Sequence, residues 1–144
     1  MKKILLAIIA VLCINTATAQ FKVVEKQKTA DVVWSSFGGH QALWAQEQSN
    51  GEYYFFLAFN TTNQFDDKMI ISLGKIDKAK ATLSQLLNDL HKEGEVYELA
   101  DDKGEAFTMQ CSVLNQYKIT KSGYAGYAYL TLGQVSKMLS CFTK

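Results

Sequence analysis

The clearest pattern in the chain is a pair of alternating apolar runs on either side of Asn50-Gly51. Asn-Gly between such runs favours a two-residue β-hairpin turn, because both central residues of a type I′ turn need a positive φ angle. A two-residue turn places Trp44 opposite Leu57 on a face that we expect to be core. The other face, which includes Phe56, is also largely apolar, so we expect another part of the chain to cover it.

Two later segments carry apolar residues at spacings of three and four, which is typical of amphipathic helices. The first follows a short strand at residues 69–71, begins after Lys75 and is expected to end at Gly94. The second follows a strand at residues 127–130, and Thr131 with Gln134 matches a capping box. The apolar positions that define the helices are Ile76, Ala79, Leu83, Leu86, Leu87 and Leu90, then Val135, Met138, Leu139 and Phe142.

A second hairpin is predicted between the two helices. Residues 96–99 and 106–114 have the pattern of strands, and Asp101-Asp102-Lys103-Gly104 between them is typical of a solvated turn. When Ser72 is aligned with Thr131, the apolar faces of the two helices match in register. This match indicates either a duplicated strand-strand-helix unit or two helices that look alike only because both are amphipathic and capped by Ser or Thr. The fold class predicted is α+β, a single domain with one antiparallel sheet of about five to seven strands and two amphipathic helices.

Residues 1–19 have the three parts of a secretory signal peptide: Lys2 and Lys3, an apolar stretch, and Ala17-Thr18-Ala19 before Gln20. The apolar stretch is too short to span a bilayer as a helix. We therefore expect a mature domain of residues 20–144, without a membrane span and located in the periplasm or secreted.

Composition narrows the class of partner. The formal net charge is +1, and every basic residue other than the histidines is lysine. A nearly neutral chain without arginine lacks both the electrostatic attraction to nucleic acid and the planar group that binds phosphates and guanine edges in pairs of hydrogen bonds. We therefore expect no nucleic-acid partner, and no sequence motif predicts a cofactor.

After removal of the leader, Cys111 and Cys141 remain. An even number of cysteines in an exported chain allows a disulfide between them, and the alternative is two small, partly buried apolar side chains. Neither cysteine has a Cys or His neighbour at ligand spacing, so no metal site is predicted.

Catalytic chemistry has one candidate. His40 follows Gly38-Gly39, and with Asp66 or Asp67 it can act as an acid-base pair in an envelope hydrolase. His91 near the end of the first helix is better explained as an exposed residue of the last turn.

The remaining candidates for a functional role are aromatic residues. Most of them suit strand packing, but Tyr54 and Phe56, together with Tyr124 and Tyr127 in a glycine-rich segment, are candidates to line an interaction surface beside His40. The leading hypothesis is a small exported binding module without catalysis, whose partner is a protein or another envelope component. The alternatives are the hydrolase and a self-associating structural subunit, so that the chain is either a monomer or a small homo-oligomer.

Overall fold

The computed structural model describes residues 30–143, which form two four-stranded antiparallel sheets and two helices. The predicted signal peptide of residues 1–19 and the first ten residues of the predicted mature domain, 20–29, lie outside the described residues. The α+β class is confirmed. The single sheet of five to seven strands is wrong, because the strands divide into two sheets on either side of the first helix in the sequence.

The described residues form two halves with the same order of elements. The first half consists of β1 (Asp31–Ser35), β2 (Gln41–Glu47), β3 (Tyr53–Phe59), β4 (Met69–Lys75) and α1 (Ile76–Asn88). The second consists of β5 (Val96–Ala100), β6 (Ala106–Cys111), β7 (Gln116–Lys121), β8 (Ala128–Thr131) and α2 (Leu132–Ser140). Each sheet pairs its strands in chain order. Each half therefore consists of four strands and a helix, which is longer than the strand-strand-helix unit considered from the sequence.

The hairpin of β2 and β3 forms where it was predicted, but its register differs by one residue. Leu43, instead of Trp44, pairs with Leu57. The loop is one residue longer than a type I′ turn, because Gly51 takes a positive φ of 81° and Asn50 does not. A slip of one residue turns every side chain of a strand to the opposite face. In β2 it is therefore Leu43 that joins the core, while Trp44 lies on the other face beside Phe56.

Two further boundaries differ from the prediction. α1 ends at Asn88, well before Gly94, because Gly94 belongs to a turn in which its N–H donates to the carbonyl of Cys111 (3.0 Å). β6 ends at Cys111 instead of Leu114, because the chain turns at Asn115, whose φ is 53°. The apolar pair Val113-Leu114 therefore lies exposed in a turn, and the segment after it forms β7.

One apolar core joins the two halves, and it includes residues of both sheets and both helices. α1 packs against β3, β4 and α2. The phenol of Tyr117 in β7 is fully buried and donates a hydrogen bond to the carbonyl of Leu86 in α1 (2.6 Å). Burial raises the pKa of Tyr117 to about 12. The second sheet is thus bonded directly to the helix of the first half.

Asp101 in the β5–β6 turn makes a second junction, at the edge of β4. Its side chain is only 1% exposed. Oδ2 accepts a hydrogen bond from Ser72 N (3.1 Å) and lies 3.8 Å from Lys121 Nζ. Oδ1 accepts from the N–H groups of Lys103 and Glu105 (2.9 Å each). The turn that was expected to be solvated is therefore anchored in the other half through a buried carboxylate.

Candidate binding surface

Three connecting segments lie side by side and are hydrogen-bonded to one another. Asn60 N donates to the carbonyl of His40, and Thr62 N donates to the carbonyl of Tyr127, each at 2.8 Å. Tyr127 N in turn donates to Thr62 Oγ1 (3.2 Å). These bonds join the β1–β2, β3–β4 and β7–β8 connections. We call the three segments the loop edge: residues 36–40, 60–68 and 122–127.

Asp66 fixes the second segment to the third. Its Oδ2 accepts hydrogen bonds from Thr61 Oγ1 (2.7 Å) and Gly126 N (2.8 Å), and its Oδ1 accepts from Ala125 N (3.2 Å). These donors, with the Gly126 N–H contributing most, hold the pKa of Asp66 below its usual value. A Cβ at Gly126 would lie 2.5 Å from Asn63 N, so glycine is needed for this close approach.

Two phenylalanines on the loop edge are almost completely exposed. Phe37, in a short 3-10 turn, has 103% of its reference area exposed, and Phe65 has 86%. Phenylalanine is usually buried, and a single exposed apolar side chain needs no explanation. These two lie on neighbouring segments that are bonded to each other, so the loop edge presents aromatic area from two of its three segments.

His40 and Tyr124 are linked across the loop edge by a chain of polar contacts. His40 Nδ1 lies 3.4 Å from Asn60 Nδ2, and Asn60 Oδ1 accepts a hydrogen bond from Lys68 Nζ (2.7 Å). The Tyr124 phenol donates to the carbonyl of Lys68 (3.2 Å). The ammonium of Lys68 also lies 5.9 Å from the ring centroid of Trp44. The structure thus places His40 and Tyr124 on one surface.

Tyr127 completes this surface. Its ring packs edge-on against Tyr129, with ring centroids 5.2 Å apart. Lys118 Nζ lies 4.3 Å from the Tyr127 ring centroid, which is within the range of a cation–π contact. Tyr129 is partly exposed, so this pair extends the aromatic area of the loop edge onto the second sheet.

The structure separates Tyr54 and Phe56 from the loop edge. Both lie on the face of the first sheet that is opposite the core. Phe56 is only 9% exposed, and Lys103 Nζ lies 5.5 Å from its ring centroid. Tyr54 is partly buried and lines a cleft with Lys78. The β5–β6 turn therefore provides part of the cover that the sequence led us to expect for this face.

The members of the predicted acid-base pair are hydrogen-bonded to other groups. His40 is exposed and its polar neighbour is the amide of Asn60. Asp66 is bonded to Thr61 and Gly126, and these bonds favour the ionised carboxylate, which is a poor general acid. Asp67 is exposed.

The two cysteines are free thiols in the structure. Cys111 is buried, and burial raises the pKa of its thiol. Cys141 lies at the end of α2, where its Sγ is 3.4 Å from the carbonyl of Lys137. The disulfide that the sequence left open is not formed here, and the structure agrees with the alternative of two small side chains, one buried and one partly buried.

Within residues 30–143, no group of three His, Cys, Asp or Glu side chains is placed to hold a metal ion. No helix in that part of the chain is long and apolar enough to cross a membrane. Comparison with protein-family models, curated proteins and solved structures found no match to this chain.

Sequence reasoning missed Phe37 and Phe65, which are the most exposed aromatic residues of the loop edge. A signal for them exists in the sequence. Each is a lone aromatic residue within a polar or glycine-rich connection, Ser36-Phe37-Gly38-Gly39 and Asn63-Gln64-Phe65-Asp66. Neither belongs to an alternating run, so no strand buries it. The aromatic pair Tyr54 and Phe56 lies instead inside a strand, and Phe56 is buried.

Proposed function

We propose that this chain is an exported binding module that holds a protein partner against the loop edge. The observation that carries the proposal is the exposure of Phe37 and Phe65 on two segments that are hydrogen-bonded to each other. The signal-peptide pattern of residues 1–19 supports export, and we therefore expect the partner in the cell envelope or outside the cell.

Physical chemistry favours a binding role for such residues. Burying a phenylalanine side chain contributes about 1.5–3 kcal/mol, so two of them supply an anchor of useful size. Few interface residues carry most of the binding energy, and large aromatic side chains are prominent among them. The hydrogen bonds of Asp66 hold the segment that carries Phe65 in place before binding, which reduces the entropy lost on association.

The test is capture of partners from the cell envelope and culture fluid with the mature protein, residues 20–144, beside a Phe37→Ser/Phe65→Ser variant. A matched control is available in the β6–β7 turn, where Val113 and Leu114 are 72% and 82% exposed but lie outside the loop edge. We expect wild type and Val113→Ser/Leu114→Ser to retain the partner and the Phe37/Phe65 variant to lose it. Circular dichroism confirms that all three proteins are folded.

Two results would contradict this proposal. Equal capture by the wild type and the folded Phe37/Phe65 variant would place binding elsewhere. If the wild type captures no protein under cross-linking, the proposal of a protein partner is wrong.

Self-association is a second candidate, because β1 is the edge strand of its sheet among residues 30–143 and exposes Val32 and Val33. Exposed edges can pair with another chain. Light scattering decides this candidate: a dimer that Val32→Lys converts to a monomer supports it, and a monomeric wild type removes it.

A further inference from the structure

A cavity lined mostly by apolar side chains, with Thr82 and Gln85 as its polar members, lies between α1 and the two sheets. Its volume is about 110 Å³, and its lining includes Leu86 of α1, Leu57 and Ile71 of the first sheet, and Met109 and Ile119 of the second. Protein interiors contain few voids larger than a water molecule, and an empty apolar cavity lowers stability in proportion to its volume. A cavity of this size in so small a fold is therefore a candidate ligand site.

A more open cleft of about 260 Å³ lies beside the cavity. Leu73, Thr82 and Phe107 line both spaces, so they adjoin each other. Lys78 and Asp102 line the outer cleft, and Lys78 Nζ lies 2.6 Å from Asp102 Oδ1. A pair of opposite charges therefore lines the cleft that adjoins the apolar cavity.

The position of Asp102 in the cleft is fixed by the backbone around it. Asp102 N donates a hydrogen bond to the carbonyl of Ser72 (3.0 Å). Its carboxylate carbon lies where a Cβ on Gly74 would be only 2.7 Å away, so the absence of a side chain at Gly74 makes room for it. Lys78 is mostly exposed and is free to change its partner.

We propose that the cavity and cleft form a binding site for a small uncharged amphiphile, with a short alkyl tail in the cavity and a hydroxyl group between Lys78 and Asp102. An apolar cavity of about 150 Å³ accepts benzene, so a tail of about five carbons suits the space here. A hydroxyl accepts a hydrogen bond from the ammonium and donates one to the carboxylate. A carboxylate or an ammonium head meets one like and one opposite charge there, so the attraction is offset while the head still loses hydration in the cleft, a cost that an uncharged hydroxyl avoids.

This site is distinct from the loop edge, because none of the residues that line the cavity or cleft belongs to it. The inference therefore goes beyond the proposed function. Failure of either proposal leaves the other unchanged.

The test is a titration of residues 20–144 with 1-pentanol, pentanoate and pentylamine, followed by methyl NMR signals of Leu86, Met109 and Ile119. We expect saturable shifts of these methyl groups with 1-pentanol, and binding at least tenfold weaker for the acid and the amine. Absence of a saturable shift with all three probes overturns the site. Equal binding of all three overturns the role given to Lys78 and Asp102.

Substitutions in α1 test whether 1-pentanol binds in the cavity. Thr82→Met extends an apolar chain from a position that lines both spaces, and we expect it to raise the melting temperature and abolish the shift with 1-pentanol. Ser84→Met, on the same helix but outside the lining of both, is expected to bind like the wild type. Unchanged binding by Thr82→Met overturns the proposal.

A variant that enlarges the cavity keeps the test decisive if Thr82→Met fails to fold. Leu90→Ala removes volume from the lining, and we expect it to bind 1-heptanol at least threefold more tightly than the wild type does. No gain for the longer alcohol overturns the proposal.

Discussion

The two halves have the same order of elements but begin their helices in different ways. In the second half, Thr131 directly precedes α2, where its Oγ1 accepts from Gln134 N (3.2 Å) and its N donates to Gln134 Oε1 (2.9 Å). Ser72, which aligns with Thr131, lies inside β4, and α1 begins after Lys75 without a side-chain cap. The two helices thus have matching apolar faces, but α2 begins with a side-chain cap and α1 does not.

The difference follows from what each residue contacts. The N–H and carbonyl of Ser72 are bonded to Asp101 and Asp102 of the other half, which extends β4 past the position where α2 begins. Gly74 then takes a positive φ of 77° at a register shift of the β3–β4 pairing. In the first half, the bonds from Ser72 to Asp101 and Asp102 therefore stand where the second half has the Thr131 cap. We expect substitutions at aligned positions of the two halves to change stability by different amounts.

The largest effect is expected at Asp101. Asp101→Ala removes a buried carboxylate and leaves Lys121 and three backbone N–H groups without this acceptor. We expect the free energy of unfolding to fall by about 3 kcal/mol, measured by urea denaturation. Asp67→Ala, an exposed aspartate of the other half, is the control and should change it by less than about 0.5 kcal/mol. A loss at Asp101 below about 1 kcal/mol would show that the junction contributes little.

The aligned glycines Gly74 and Gly133 sharpen the comparison. Gly74→Ala should destabilise by about 2 kcal/mol, because the new Cβ meets the Asp102 carboxylate and a left-handed φ is unfavourable for alanine. Gly133→Ala should stabilise by about 0.5–1 kcal/mol, because alanine favours the helix and the new Cβ would lie 3.9 Å from Thr131 Oγ1, an ordinary van der Waals distance. Thermal unfolding of both variants checks this, and the same sign for both would contradict the account.

The aligned hydroxyl residues should also differ. Thr131→Ala removes the cap of α2 and should cost about 1 kcal/mol. Ser72→Ala should change stability by less than about 0.5 kcal/mol, because the buried Ser72 Oγ has no hydrogen-bond partner among residues 30–143. Chemical denaturation of the two variants measures the contrast, and equal losses would mean that the Ser72 hydroxyl has a structural role like that of Thr131.

The smallest effect concerns the loop-edge junction made by Asp66. Its pKa is lowered in the folded state, so its contribution to stability is present above the usual value of 3.8 and is lost as the pH falls through the folded value. We expect Asp66→Asn to lower the melting temperature at pH 7 and the difference from wild type to shrink below about pH 3.8. A difference that is constant between pH 7 and pH 3 would contradict the role given to the ionised carboxylate.

Local patterns predicted much of the fold. The capping box at Thr131, the hairpin around Gly51 and the turn after β5 all depend on neighbouring residues, and all three are present. The register of β2 and the end of α1 were predicted incorrectly. Both depend on a choice between local conformations that the sequence alone leaves open, and Gly94, expected to end α1, is instead bonded to Cys111 of β6.

The candidate surface was predictable only in part. His40, Tyr124 and Tyr127 were selected from the sequence, and the structure brings them together on the loop edge. Phe37 and Phe65 were missed because exposure is a property of the folded chain, and Phe56 was selected although another turn buries it. Sequence patterns identify aromatic residues, but the packing of distant segments decides which of them reach solvent.

The measurement that tests the central claim most directly is amide hydrogen exchange of residues 20–144, free and bound to the captured partner. The account predicts new protection at residues 36–40, 60–68 and 122–127, with the β6–β7 turn unchanged. Protection confined to β1, or absent from all three loop-edge segments, would contradict the proposal that this surface holds the partner.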